Sequence, residues 1–312
     1  MKIGVDLGGT NTVVGLCTDE GVLLRKASRP TKHGDAPALL RDCRELAGEI
    51  CHAQGIETSE VCQIGLGVPG SLVKETCTLT FGTNLGMSQV CFADAFRPDF
   101  TCAVHLDNDA NCAALGEYIS GAGRGVRSMV ILTLGTGVGG GIILDGKLYT
   151  GENNIAGEIG HMVVEYGGVQ CNCGRRGCLE TYASASALIR MAREQLEQGA
   201  DSVLTQRIAD NGGKLNAKMV CDANDEGDPA AKAAFDRYVA YLACGINNII
   251  AILQPQRIVL GGGVAGYGEK LLAPLRERVQ ADLMPADCEQ GDLALAQLGN
   301  DAGIIGAAML EE

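Results

Sequence analysis

No apolar run in the 312-residue chain approaches the roughly 20 residues that a helix needs to span a bilayer, so no membrane-crossing segment is expected. Basic residues are in deficit: 25 Lys and Arg face 38 Asp and Glu, a formal net charge of −13. That balance disfavours binding dominated by nucleic-acid phosphates, while leaving room for a local site for a small phosphate ligand. The opening MKIGVDLGG lacks the charged and apolar stretches of a secretory leader, and a cytosolic location is expected. In a reducing compartment the 14 Cys read as buried free thiols unless their spacing makes them metal ligands. Low-complexity segments and Trp are absent, and a 20% charged fraction with regular apolar segments excludes disorder. What is present is a 46% apolar chain with 44 Gly, long enough for about two domains.

Met1 to Val5 reads as a strand entering the turn Asp6 to Thr10, and Val13 to Cys17 as the strand that returns, a hairpin. Leu39, Leu40, Cys43, Leu46, Ala47 and Ile50 recur at helical spacing over residues 36–53, whereas Ile64 to Val68 and Ala103 to Leu106 read as buried strands. The opening pattern returns at Met129 to Leu144, again strand, Gly/Thr turn, strand, which suggests two related halves. Leu179 to Leu196 and Ala230 to Leu253 are helical by period; Asp210 to Asp228 reads as a surface loop or short helices. Arg257 to Leu260 is a strand ending in Gly261 to Gly263, with a helix after it. The chain is an α/β protein.

The two hairpin turns carry the first chemical signal. Asp6, Gly8, Gly9, Thr10 and Asn11 in one, and Gly135, Thr136 and Gly137 in the other, offer successive backbone N–H groups with little side chain in the way, a concavity suited to phosphate oxygens. Taken singly, each is equally a tight turn; two at matching places favour phosphate binding. Gly135, Gly137 and Gly140 also fit the dinucleotide pattern GxGxxG, but a strand-like run follows where that fingerprint needs a helix. Gly261, Gly263 and Gly266 fit it between strand and helix, without the rest of a βαβ unit and its acidic residue.

Together these turns and the late Gly262-Gly263 segment resemble the sugar kinases of the hexokinase, actin and Hsp70 superfamily. The resemblance implies two ribonuclease-H-like lobes with ATP in the cleft between them, both hairpins around the phosphates and Gly262 and Gly263 near the adenosine. It implies Mg2+ at Asp6, held directly or through water, as carboxylates facing nucleotide phosphates commonly hold it. The expected lobes are residues 1–117 with 300–312, and residues 118–299 carrying a zinc-binding loop over 161–180.

Asp107-Asn-Asp-Ala-Asn111 follows a buried strand and opens an apolar-periodic segment. Its Asn and Asp residues suit helix capping, and a carboxylate at a strand's C-terminal end is also where a general base would stand. His161, one of only four His, precedes Cys171, Cys173 and Cys178; this set matches a Cys3His zinc site, closed and therefore structural.

With GEIGH over residues 157–161, the CxCGxxGCxE run ending at Glu180 and NDAN over 108–111, the chain resembles the ROK family along essentially its whole length, and especially that family's bacterial glucokinases. The resemblance implies ATP-dependent phosphorylation of a hexose, glucose first, with Asp109 as catalytic base. It implies that Gly70, Asn84, Asn108, Glu158, His161 and Glu180 contact the sugar, and that His161 binds zinc through its other ring nitrogen. It also implies ATP, Mg2+ and structural Zn2+ as cofactors and a homo-oligomer, dimer or tetramer. Met87 stands where glucokinases of the family often carry Trp, so the shell near Asn84 is expected to differ. Rival readings are a kinase for N-acetylmannosamine, N-acetylglucosamine, allose or fructose, a non-catalytic sugar sensor, and a repressor; the last needs a DNA-binding segment ahead of the turn at Asp6.

Overall fold

The computed structural model describes residues 1–284 and 291–311. Strand β1 (Lys2–Leu7) fully buries Ile3, Val5 and Leu7, the alternation expected of a pleated strand with a packed face. It turns through Gly8, whose N–H donates to the Asn11 carbonyl at 3.0 Å, into antiparallel β2 (Asn11–Cys17), followed by β3 (Leu23–Pro30). Helix α1 (Ala36–Gln54) starts where Asp35 accepts the Ala38 N–H at 3.0 Å and stops at Gly55, which sits at φ 76. It buries Leu39, Cys43, Leu46, Ala47 and Ile50, the face read from their spacing. Strand β4 (Gln63–Gly67) lies parallel to β1.

Next comes a small antiparallel sheet of β5 (Ser71–Val73), β6 (Thr78–Gly82) and β7 (Met87–Cys91), then α2 (Ala93–Phe96). Strand β8 (Ala103–Asp107) runs parallel to β4 and leads into α3 (Asp109–Ser120). The first main sheet therefore has the order β3-β2-β1-β4-β8.

The second main sheet contains β9 (Met129–Leu134), β10 (Val138–Leu144) and β11 (Lys147–Leu148). Five helices follow: α4 (Glu180–Ala183), α5 (Ala185–Glu197), α6 (Val203–Asp210), α7 (Ala217–Asp225) and α8 (Pro229–Leu253). Then come β12 (Arg257–Gly261), α9 (Glu269–Ala281), β13 (Asp292–Leu295) and α10 (Ala302–Ala308). The order is β11-β10-β9-β12-β13, the first sheet's order repeated strand for strand, with β12 parallel to both β9 and β13. The repeat read from the sequence is thus a repeat of topology.

The chain forms two compact units, one from Met1–Arg127, Gly141–Gly157 and Gln297–Glu312, the other from Ser128–Gly140 and Glu158–Ala296. Inside the first, α10 lies hard against α3: a Cβ on Gly306 would fall 1.7 Å from the Cys112 carbonyl oxygen. This backbone-close crossing fixes the helix that begins with Asp109.

One expectation needs correction. Leu179 to Leu196 is not a single helix; the chain leaves helical geometry at Ser184, at φ −90 and ψ 167. There the Ser184 side chain caps α5 by accepting the Ala187 N–H at 3.1 Å. Apolar period cannot register such a break, because the buried residues resume on the far side. None of the described helices is long and apolar enough to cross a membrane.

Candidate active site

In the first unit, Asn108 caps α3 by accepting the Ala110 N–H at 2.8 Å, and Asp109 is the helix's first residue. The capping amide and the Asp109 carboxyl therefore sit on adjacent residues and share one donor, the Ala110 N–H. Burial raises the Asp109 carboxyl above the usual carboxylate range, against the pull of the Ala110 N–H at 3.0 Å. Asp6, in β1, is pushed up to about 6, first by burial and then by the negative charge of Asp109. Two acids placed so close, with little water, form a site that favours a cation or a proton.

The first turn is held by two side chains from the end of β3 and beyond it. Thr31 donates its hydroxyl to the Gly8 carbonyl at 2.7 Å. His33 places Nε2 2.8 Å from the Gly9 carbonyl and Nδ1 3.1 Å from the Asn84 carbonyl, so one imidazole joins the turn to the loop bearing Asn84. Gly70 lies at φ 137, where a Cβ would meet the Phe81 carbonyl at 2.4 Å. Met87 is buried in the small sheet at 7% exposure, and Asn84 is exposed.

In the second unit the turn after β9 is closed by Gly135 N–H donating to the Gly137 carbonyl at 3.0 Å. The Gly135 carbonyl accepts from Ala185 N–H at 2.8 Å and the Thr136 carbonyl from the Ser186 hydroxyl at 2.8 Å, so the start of α5 clasps the turn. Glu180 accepts the Val138 N–H through Oε2 at 2.9 Å. Gly262, at φ 83, presses on Leu134: a Cβ there would come within 2.7 Å of its backbone, and Val264 N–H donates to the Leu134 carbonyl at 3.1 Å. The structure thus gathers Gly135, Thr136, Gly137, Glu180 and the Gly262-Gly263 bend.

His161, Cys171, Cys173 and Cys178 converge, with all four ligand atoms within 4.8 Å of one another. His161 Nδ1 lies 3.6 Å from Cys171 Sγ, and Cys173 Sγ lies 3.6 Å from Cys178 Sγ. A tetrahedron with Zn–S of about 2.3 Å and Zn–N of about 2.0–2.1 Å has edges of about 3.6–3.8 Å, so the donor set fits zinc. Burial pushes the Cys178 thiol up to about 12, while backbone N–H at Arg175 leads in lowering that of Cys173. The Nε2 face of His161 turns to Glu158, whose Oε2 is 3.9 Å away.

Sequence reasoning left four contributors without a role. Thr31, His33 and Ser186 act through bonds to backbone carbonyls, which no residue pattern reveals. Asp107 was quoted inside its motif, but its contacts depend on where residues 68–74 fold.

Two sheets of one strand order, each opening on a Gly-rich hairpin turn, define an α/β protein of the actin and hexokinase-like sugar-kinase class. The chain belongs to the ROK family, whose model matches residues 2–312. It is 38% identical over 99% of its length to a glucokinase of Halalkalibacterium halodurans, spanning 94% of that protein. A glucokinase of Thermotoga maritima is 40% identical, with 99% of this chain and 96% of that one aligned. Among solved structures, a ROK family glucokinase from Streptomyces griseus in complex with glucose and AMPPNP superposes with a TM-score of 0.79. It is 30% identical, over 98% of this chain and 97% of that one.

Proposed function

We infer that the chain transfers the terminal phosphoryl group of ATP to a hexose, with glucose as the first substrate. The observation that carries this reading is Asp109 at the capped start of α3, a carboxyl raised by burial and bonded to a backbone N–H, in a chain that matches glucokinases from end to end. Asp109 would take the proton of the attacking hydroxyl as the new O–P bond forms and ADP departs. The turns at Gly8 to Asn11 and Gly135 to Gly137 would hold phosphate oxygens, with Gly262 and Gly263 toward the adenosine.

Asp6 would hold Mg2+, which supplies charge neutralisation at the phosphates. Sugar hydroxyls would meet Gly70, Asn84, Asn108, Glu158 and Nε2 of His161; Glu180 would offer Oε1, since Oε2 is held by Val138. His161 Nδ1 with Cys171, Cys173 and Cys178 would hold zinc, which gives the loop rigidity and fixes the imidazole's direction.

A second reading, another hexose or an N-acetylhexosamine as substrate, is favoured by one observation: buried Met87 in place of Trp near Asn84. ADP release with Mg-ATP and glucose, mannose, fructose, allose, N-acetylglucosamine and N-acetylmannosamine decides between them by kcat/KM. Asp109→Asn run in parallel tests the base. If no sugar releases ADP yet one raises the Tm, the chain is a sugar sensor and the kinase reading fails.

A further inference from the structure

Asp107 ends β8 directly before Asn108 and Asp109, and four groups converge on it. Its carbonyl accepts the Val68 N–H at 2.9 Å. Its Oδ1 accepts from Asn108 N–H at 2.7 Å and from the Asn111 amide at 2.8 Å, binding the first turn of α3. Its Oδ2 pairs with the Lys74 ammonium. Val68 and Lys74 are the two ends of the arc that presents Gly70, so both feet of that arc stand on one residue. The Asp107 side chain is only 4% exposed, and removing one partner of so enclosed an ion pair is costly.

Other ties join this region to β8: Leu79, Leu85, Val90 and Leu106 share one apolar core, a contact without direction. Cys77, just past Lys74, sends its thiol to the Val104 carbonyl at 3.0 Å, and a thiol is a poor donor. Gly70 stands at φ 137, where a Cβ would meet the Phe81 carbonyl at 2.4 Å, so that point of the arc has room for glycine and little else.

We propose that Lys74 and Asp107 are positioning residues, which clamp the Gly70 arc and the small sheet leading to Asn84 onto the residue from which α3 presents Asp109. The clamp adds a directional hold, one ion pair, between the sugar-facing loop and the residue next to the helix that begins with Asp109. Its effect on sugar affinity rests on the kinase reading above; its effect on the arc does not.

The test compares Lys74→Met, Lys74→Arg, Asp107→Asn and the Lys74→Met/Asp107→Asn double variant with the unaltered protein, by sugar and ATP kinetics and by amide hydrogen exchange without substrates. Lys74→Met should raise the sugar KM about tenfold or more, shift the ATP KM less than twofold, and speed exchange over residues 71–82 while α1 stays protected. Lys74→Arg should restore most of the sugar KM, and the double variant should cost little more than Lys74→Met alone. An unchanged sugar KM with unchanged exchange over 71–82 overturns the proposal, as does equal loss of sugar and ATP affinity with α1 exchanging faster too. If the unaltered protein phosphorylates no sugar, the kinase reading falls, and the exchange over 71–82 still decides the clamp.

Discussion

Between β4 and β8 the first half carries a small antiparallel sheet that bears Gly70 and leads to Asn84; the matching interval of the second half, between β12 and β13, contains α9. The second half instead loads the interval between β11 and β12, with the Cys3His loop and α4 to α8, where the first half has α1 and a short 3-10 turn at Thr58–Glu60. The two turns also differ. The first has an acid beside it and is held by the side chains of Thr31 and His33. The second has Glu180 beside it, accepting the Val138 N–H, and Ala185, Ser186 and Val264 hold its backbone. One topology used twice thus carries different groups at its turns: the first has the two raised acids Asp6 and Asp109, the second a clasp of backbone bonds in the unit that also holds the Cys3His cluster.

The largest break in that contrast should come from Asp109→Asn, which keeps the shape of the side chain and removes the base. A fall in kcat/KM of at least about a hundredfold, close to 3 kcal/mol, with a folded protein by circular dichroism is expected. A fall under tenfold would mean that the first half does not carry the chemistry.

In the second half, Cys173→Ser should take zinc below one per chain by metal analysis and lower the Tm by about 5 °C or more, with a weaker sugar KM. Unchanged zinc content would refute the site.

Asp6→Asn separates charge from stability. A carboxyl moved from 3.8 in the unfolded chain to about 6 in the fold favours folding below 3.8, and that advantage is lost as pH rises through 6. Without ligands the variant should therefore be more stable at pH 7.5, by about 1–3 kcal/mol, and gain nothing at pH 4. Thermal melts at the two pH values check this, and an equal gain at both would reassign the effect.

The smallest change should follow Ser186→Ala, which frees the Thr136 carbonyl. A rise of a few fold in the ATP KM, about 1 kcal/mol, is expected, with the sugar KM held. The reverse pattern would place the second turn on the sugar side.

Much of this was legible in the residues. The hairpins announce themselves by Gly between alternating apolar runs, α1 by its apolar period, and the metal cluster by three Cys and a His within a short span. The ligand atoms of His161, Cys171, Cys173 and Cys178 lie within 4.8 Å of one another, which is compatible with a zinc site. The break at Ser184 was not legible, because what holds it is the Gly135 carbonyl accepting from Ala185, a contact 50 residues away in sequence. Lys74 was equally silent: a lone Lys reads as solvated until β8 brings Asp107 under it. Spacing reports local geometry; it cannot report which distant carbonyl or carboxylate the fold delivers.

The imidazole of His33 has two neighbours of one kind. Both Gly9 and Asn84 present carbonyl oxygens, which only accept, and a neutral ring owns a single N–H. The ring therefore has a valence for one of the two at a time: a tautomer that grips the turn releases the loop, and the other does the opposite. One side chain is thus the joint between the first turn and the loop that bears Asn84, and a change of tautomer trades one hold for the other.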